Sequence, residues 1–331
     1  MSHQTKNSSS KKRQQAGKTT EKLTRLDIDE ELRKKILPLC RLKKGEIWND
    51  PKSKHKVGVL DATSLSDTKK LFKEEKAQLV INDPPYNVVV GNVNTQNLSK
   101  INVHEYIEFS CKWVSNVLSI LDENAGLYIW IGADQNDGFQ PLPEFMIMMR
   151  EFNELKTRSF ITMRNQRGYG TQKNWMSVRQ ELLYYIKGNP HFKVVYTDIP
   201  KILGGYYKKI NGKITDNFER SKSEFIRPGN VWVDIQQVFY RMEENVPGAY
   251  AQKPLKAIKR IIESSSRKNN LVADFFSHSG VTLLASEMLG RRCYAMEIDP
   301  VFAELSIRRL ERYRQTGKTG WQWNNPFPEI I

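Results

Sequence analysis

Asp83-Pro84-Pro85-Tyr86-Asn87 gathers a carboxylate, two prolines and an aromatic ring directly behind the apolar run of residues 78–81 (QLVI). The prolines fix φ and remove two backbone donors, so they stop a strand and stiffen the chain beyond it. Polar groups are thereby held at the carboxyl end of a strand, the edge where open α/β sheets bind ligands. At that edge Asp83 and the Pro84 carbonyl can each accept a hydrogen bond from an amino group, and Tyr86 can stack on a flat ring. The set suits a planar amine, such as a nucleobase with an exocyclic NH2. A tight turn carrying an incidental acid is the simpler alternative, and the full five residues in this setting favour the functional reading.

A second block, Asp274-Phe275-Phe276-Ser277-His278-Ser279-Gly280, follows the apolar residues 271–273 and precedes residues 282–289, which are spaced as a helix. Small residues after a strand let the backbone pass close under a bound ligand. The block is neither a P-loop, because no Lys-Ser/Thr follows, nor a GxGxxG fingerprint. Glu297, 17 residues past Gly280 at the end of an apolar run, is placed to accept from ribose hydroxyls. The pair reads as a nucleoside-cofactor site. His278 has no Cys or carboxylate at ligand spacing, so no metal is expected. Cys40, Cys111 and Cys293 lie far apart in no CxxC pattern, which argues against a zinc site, a disulfide framework or a nucleophilic cysteine.

The elements that must position these blocks follow an α/β rhythm. Residues 27–40 read as a helix up to Pro38, residues 56–60 as a strand ending at Asp61, and residues 67–76 as an amphipathic helix. Residues 104–121 have helical spacing and 126–131 form another buried strand. Late in the chain, residues 256–264 and 300–313 read as helices and 292–296 as a strand. Short apolar strands separated by amphipathic helices imply a parallel sheet covered on both faces. Between about 156 and 250 the texture changes. Residues 156–230 hold 15 Lys/Arg against five acids, and residues 164–170 and 204–209 read as exposed basic-aromatic loops. The expected arrangement is an α/β sheet interrupted by a basic insertion.

The 331 residues carry a net charge of +15, of which residues 1–25 contribute +6. A basic excess in body and arm alike points to a polyanion, nucleic acid first. No apolar run approaches the ~18 residues of a membrane span, and the start lacks the apolar core of a secretory signal, so a cytoplasmic location is expected.

Together these blocks resemble the beta arrangement of the amino-group DNA methyltransferases, which use S-adenosylmethionine: catalytic block first, basic insertion next, cofactor block last. Residues 251–255 (AQKPL) resemble the family's Q-K-P-L segment. The likeness covers roughly residues 45–313. It implies an α/β, Rossmann-like class I methyltransferase fold with a mostly parallel seven-stranded sheet in permuted order. It divides the chain into a disordered basic arm (1–26), a catalytic half (27–188), a target-recognition insertion (189–250) and a cofactor-binding half (251–331). By this resemblance Asp83, Pro84, Pro85 and Tyr86 would hold the target base. Asp61, Asp83, Lys253, Asp274, Phe276, Ser277, Ser279 and Glu297 would surround S-adenosylmethionine. The implied partner is double-stranded DNA, with a cognate restriction endonuclease as a candidate second partner, no membrane, and a monomer or homodimer. A block that begins with Asp and ends with Asn favours adenine N6 over cytosine N4. The chain departs from the family loop at Phe275 (usually Pro), His278 (usually Gly) and Val281 (usually Thr). These departures keep open a non-catalytic DNA-binding protein with a degenerate fold, and RNA or protein remains an alternative methyl acceptor. The +6 arm reads as a solubilising tail or, in its functional reading, as a sequence-independent phosphate grip. Deleting residues 1–25 is expected to flatten the log–log salt dependence of DNA binding, and an unchanged slope would remove that role.

Overall fold

The computed structural model describes residues 23–85, 103–132, 141–169, 175–201, 206–217 and 223–330. With strands numbered in chain order, the main sheet runs β1 (Ile47–Asn49), β2 (Lys56–Val59), β11 (Arg292–Glu297), β10 (Leu271–Asp274), β3 (Ala77–Asn82), β4 (Leu121–Ile131), β6 (Ser177–Lys187), β5 (Lys156–Tyr169) and β9 (Val231–Trp232). Strands β2, β11, β10, β3 and β4 are mutually parallel. β6 runs antiparallel to both of its neighbours, and β1 antiparallel to β2. Seven strands, β2 through β5 in sheet order, form the expected core, and the short β1 and β9 extend its two edges to nine. A separate hairpin, β7 (Tyr206–Ile210) and β8 (Lys213–Asn217), lies in the basic region.

Both faces of the parallel strands are covered, as their continuous apolar sequences require. On one face Val80 of β3 clusters with Phe72 of α2 (Leu65–Phe72), Trp113 and Val117 of α3 (Val103–Ile120) and Phe145 of α4 (Pro141–Met148). On the other, the alternate residues Leu79 and Ile81 cluster with Ile258 and Ile262 of α5 (Leu255–Ser265) and Leu284 of α6 (Val281–Met288). Strands β2 and β11 pack through Val57 and Ala295 on Ile307 and Leu310 of α7 (Pro300–Thr316). A further cluster joins the chain ends over α7: Leu26 and Ile36, the latter closing α1 (Glu30–Ile36), meet Phe302, Leu305, Trp321 and Phe327. Among the described residues, no helix is long and apolar enough to cross a membrane.

Two segments expected to be loops are partly strand. β5 continues to Tyr169, and residues 206–210 form β7. The physical reason is pairing: β5 zips antiparallel along β6, whose Leu182–Tyr185 stretch is fully buried and supplies the apolar face. Ile161 and Met163 turn inward while Arg164 stays exposed, a two-residue alternation that basic residues on the outer face had masked.

The turn from β10 into α6 is pressed against α7. Gly280 has φ +70°, and a Cβ placed on it would lie 2.8 Å from the Ser306 Cα. Gly280→Ala is therefore expected to destabilise the chain by at least ~1–2 kcal/mol, from the left-handed backbone alone. An unchanged melting temperature would contradict this close approach.

Candidate active site at the carboxyl edge of the sheet

The parallel strands deliver the residues after them to one edge. Asp83 follows β3, Asp274 ends β10, Glu297 ends β11 and Asp61 follows β2. The β3 and β10 turns are tied directly, because the Phe275 N–H donates to Asn82 Oδ1 at 3.0 Å. Asp83, Trp130, Lys253, Asp274, Phe276, His278 and the flanking serines Ser277 and Ser279 line one cleft between these turns.

Asp83 is held by a cation. Lys253 Nζ lies 2.7 Å from Asp83 Oδ2, and the lysine side chain is only 4% exposed. The other oxygen, Oδ1, is buried and has no partner among the described residues. Burial pushes the Asp83 carboxyl up, and the Lys253 ammonium pulls against that shift. Pro84 is buried and Pro85 exposed, whereas Tyr86 and Asn87 lie outside the described residues. The Lys253 ammonium also stands 5.5 Å from the centroid of the Trp130 ring.

The loop after β10 has an ordered role for every residue. The Asp274 carboxylate accepts from the Phe276 N–H at 2.9 Å. Phe275, where the family has proline, turns into the core and stacks on Phe72 at 5.7 Å. Phe276 meets Trp113 edge-on. Ser277 N–H donates to the Met296 carbonyl, which pins the loop to β11. His278 takes a left-handed φ of 44°, and its N–H donates to Glu297 Oε2 at 2.7 Å. Its carbonyl accepts from the Ser306 hydroxyl, and its ring rests on Phe302 at 4.5 Å. Burial holds the imidazole down near 4, so it is neutral at physiological pH. The side chain at 278 thus packs away on α7 while the backbone keeps its contact with the acid.

Glu297 also accepts from the Asp299 N–H at 3.1 Å. Burial, with repulsion from Asp299, pushes its carboxyl up to about 7. Burial does the same to Asp274, also to about 7. Asp61 stands one strand beyond Glu297. The Leu60 N–H donates to the Glu297 carbonyl, and Asp61 Oδ1 accepts from the Thr63 N–H and hydroxyl. Among the described residues no group of His, Cys, Asp and Glu is placed to hold a metal ion.

Several residues at the site carried no readable signal. Arg309 of α7 is fully buried, and its guanidinium donates to the carbonyls of Ser279, Thr319 and Glu244. The Glu244 carboxylate accepts from the Leu255 N–H at the start of α5, and its carbonyl from the Gln252 side chain. Residues 252–254 are therefore fixed from a segment some ten residues upstream. Only the Q-K-P-L likeness marked this neighbourhood in the sequence.

This architecture is the class I fold of the S-adenosylmethionine-dependent methyltransferases. The solved M1.HpyAVI–SAM complex aligns with a TM-score of 0.50 at 16% identity, over 76% of this chain and 96% of its own. The cytosine-N4-specific PvuII DNA methyltransferase aligns at 0.52 with 14% identity, over 76% and 85%. The DNA methylase family model for N6 and N4 enzymes matches residues 77–308, and the chain belongs to that family of amino-methyltransferases, whose cofactor is S-adenosylmethionine. Among curated relatives, the Type II methyltransferase M.BamHI of Bacillus amyloliquefaciens is 25% identical over 80% of this chain, which spans 61% of M.BamHI. The DNA adenine methyltransferase YhdJ of Escherichia coli (strain K12) is 25% identical over 76% of this chain and 82% of its own.

The buried acids set a pH dependence. A carboxyl whose pKa is higher in the folded than in the unfolded chain stabilises the fold fully below its unfolded value, and that contribution is lost as pH rises through the folded one. For Glu297 the window runs from 4.5 to about 7. Stability, followed by thermal melting, is expected to fall across it, and to fall less in Glu297→Gln, by a difference on the order of 3 kcal/mol at most. A parallel pH dependence of the two proteins would show that Glu297 titrates alike in the folded and unfolded chain.

Proposed function

We propose that this chain transfers a methyl group from S-adenosylmethionine to the N6 amino group of an adenine flipped out of double-stranded DNA. The observation that carries the reading is Asp83 Oδ1, a buried carboxylate oxygen without a donor among the described residues, at the carboxyl end of β3. A buried acceptor left unpaired costs free energy that an incoming N–H recovers. The cleft fits the cofactor in kind: its loop brings backbone and serine hydroxyls, and Glu297 behind that loop accepts from the His278 and Asp299 N–H groups with lone pairs to spare for ribose hydroxyls. Asp274, Phe276, Ser277, Ser279, Glu297 and Asp61 would hold that group, with Lys253 beside it.

When bound, the cofactor supplies an electrophilic methyl carried on a sulfonium. The protein's task is the amine. An aromatic amino nitrogen is a weak nucleophile because its lone pair is delocalised into the ring. Accepting its two N–H bonds at Asp83 and at the Pro84 carbonyl favours a pyramidal nitrogen with a localised lone pair. The Asp83 charge then opposes the positive charge that develops on that nitrogen, whose surplus proton is released to water after the methyl bond forms, and fixed orientation supplies much of the remainder. No cysteine nucleophile is needed. Cys293 is buried and its thiol pushed up, so it is inert. Extruding the base costs a few kcal/mol, offset in part by stacking on Tyr86. In this reading residues 27–188 and 251–331 build the catalytic and cofactor halves. Residues 189–250 recognise the target, with Lys and Arg on phosphates and Arg, Asn and Gln on base edges. The Type II names of relatives support a companion restriction endonuclease.

Adenine is favoured by Asp83 at the head of the block, while the site geometry serves cytosine N4 as well. The deciding experiment is transfer of labelled methyl to mixed-sequence duplex DNA, followed by digestion and mass identification of the modified nucleoside. N6-methyladenine is expected. N4-methylcytosine would keep the chemistry and change the base, and DNA binding with neither transfer nor cofactor binding would favour the degenerate-fold alternative. Asp83→Ala is expected to abolish turnover while cofactor binding survives, and wild-type turnover in that variant would refute the assignment.

A further inference from the structure

We infer that Lys253 is a positioning residue for Asp83: it grips one carboxylate oxygen and so presents the other, charged, to the amine. This rests on the proposed function and adds a duty to a lysine expected from the family likeness only at the cofactor. Three observations carry it. Lys253 Nζ lies 2.7 Å from Asp83 Oδ2, with the ammonium almost wholly withdrawn from water. Oδ1 of the same carboxylate is buried without a donor among the described residues, so the two oxygens are already divided between two jobs.

The third observation is that the lysine is held from both sides in sequence. Gln252 is bonded through its amide to the Glu244 carbonyl and the Val246 N–H. Pro254 precedes α5, whose first N–H is capped by the Glu244 carboxylate at 2.8 Å. The ammonium therefore has a fixed root, and Trp130 flanks its tip.

Charge makes the pairing necessary. The groups facing Asp83 are Lys253 from the segment before α5 and Asp274 from β10, and His278 of the cofactor loop faces Lys253 as a neutral ring. Without the ammonium, the carboxylates of Asp83 and Asp274 would share one poorly solvated cleft, and one of them would take up a proton. A protonated Asp83 still accepts a hydrogen bond but brings no charge to oppose the cation forming on the nitrogen.

The test has two arms on the full chain. In a double-mutant cycle read by urea unfolding at pH 8, Lys253→Met should be far more destabilising alone than when Asp83→Asn is already present. Strictly additive losses would overturn the pairing, and Lys253→Gln enters the same cycle should Lys253→Met fail to fold. In the kinetic arm, Lys253→Met should lower kcat at pH 7 by about tenfold or more and move its acid limb up by about one pH unit. Its Kd for S-adenosylmethionine is read in the same variant, and Lys253→Arg should restore most of kcat. A weakened Kd with an unmoved acid limb would make Lys253 a cofactor contact alone and end the proposal. The cycle needs no turnover, so it decides the pairing even if the wild type transfers no methyl, a result that would count against the proposed function instead.

Discussion

The site depends on the parallel pairing of β3 with β10. Two chemistry-bearing turns far apart in the chain become neighbours because Leu79 and Val80 lie in register with Val272 and Ala273. The Asn82 side chain then locks the turns together through the Phe275 N–H, across 193 residues of sequence. Asn82 is fully buried, so this bond is shielded from competing water. Asp83 is the next residue along one strand, and Asp274 is the residue before Phe275 on the other. Their separation is thus set by sheet geometry, and the long excursion through β5, β6 and the β7–β8 hairpin leaves it undisturbed.

A buried cation provides the second layer. The donors of Arg309 are spent on the carbonyls of Ser279, Thr319 and Glu244, which accept it without the desolvation cost of a second buried ion. Burial lowers its pKa to about 10, which still leaves it charged at neutral pH. Its three acceptors belong to the cofactor loop, the segment after α7 and the segment that anchors α5. One side chain therefore sets the loop under the cleft and, through Glu244, the root of Lys253.

Much of this was legible in the sequence, for identifiable reasons. Strands buried on both faces read as short apolar runs, so β2, β3, β10 and β11 were found to within a residue or two. The helices α3, α5, α6 and α7 announced themselves by spacing. The two turns were visible because Pro and Gly restrict backbone conformation locally. What stayed hidden was decided at long range. β5 lies near the sheet edge with Arg164 on its outer side, so its composition resembles a basic loop until β6 is seen beside it. Arg309 and Glu244 occupy positions that any surface helix or loop fills with charged residues. The burial of Arg309 comes from the closing of residues 319–321 over α7, which no local pattern encodes. The ion pair of Lys253 with Asp83 joins residues on either side of the insertion, and neither motif alone contains it.

The electrostatics of the cleft give a last reason why these blocks belong together. Asp274 and Glu297 are withdrawn from water and Asp83 is partly so, and the nearest ammonium, Lys253, is paired with Asp83. The other two are left with N–H and hydroxyl donors and stand near 7. Such a cleft is poorly satisfied by the protein itself, because ionising both acids is costly in the free chain. It is well matched to a ligand that brings a positive centre and several hydroxyl donors, which is what a sulfonium nucleoside carries under the proposed function. The His278 ring, neutral and laid on Phe302, adds no competing charge at this rim. Stability withheld at the carboxyl edge is thereby available to binding, and the apolar packing on the two faces of the sheet is what allows the fold to withhold it.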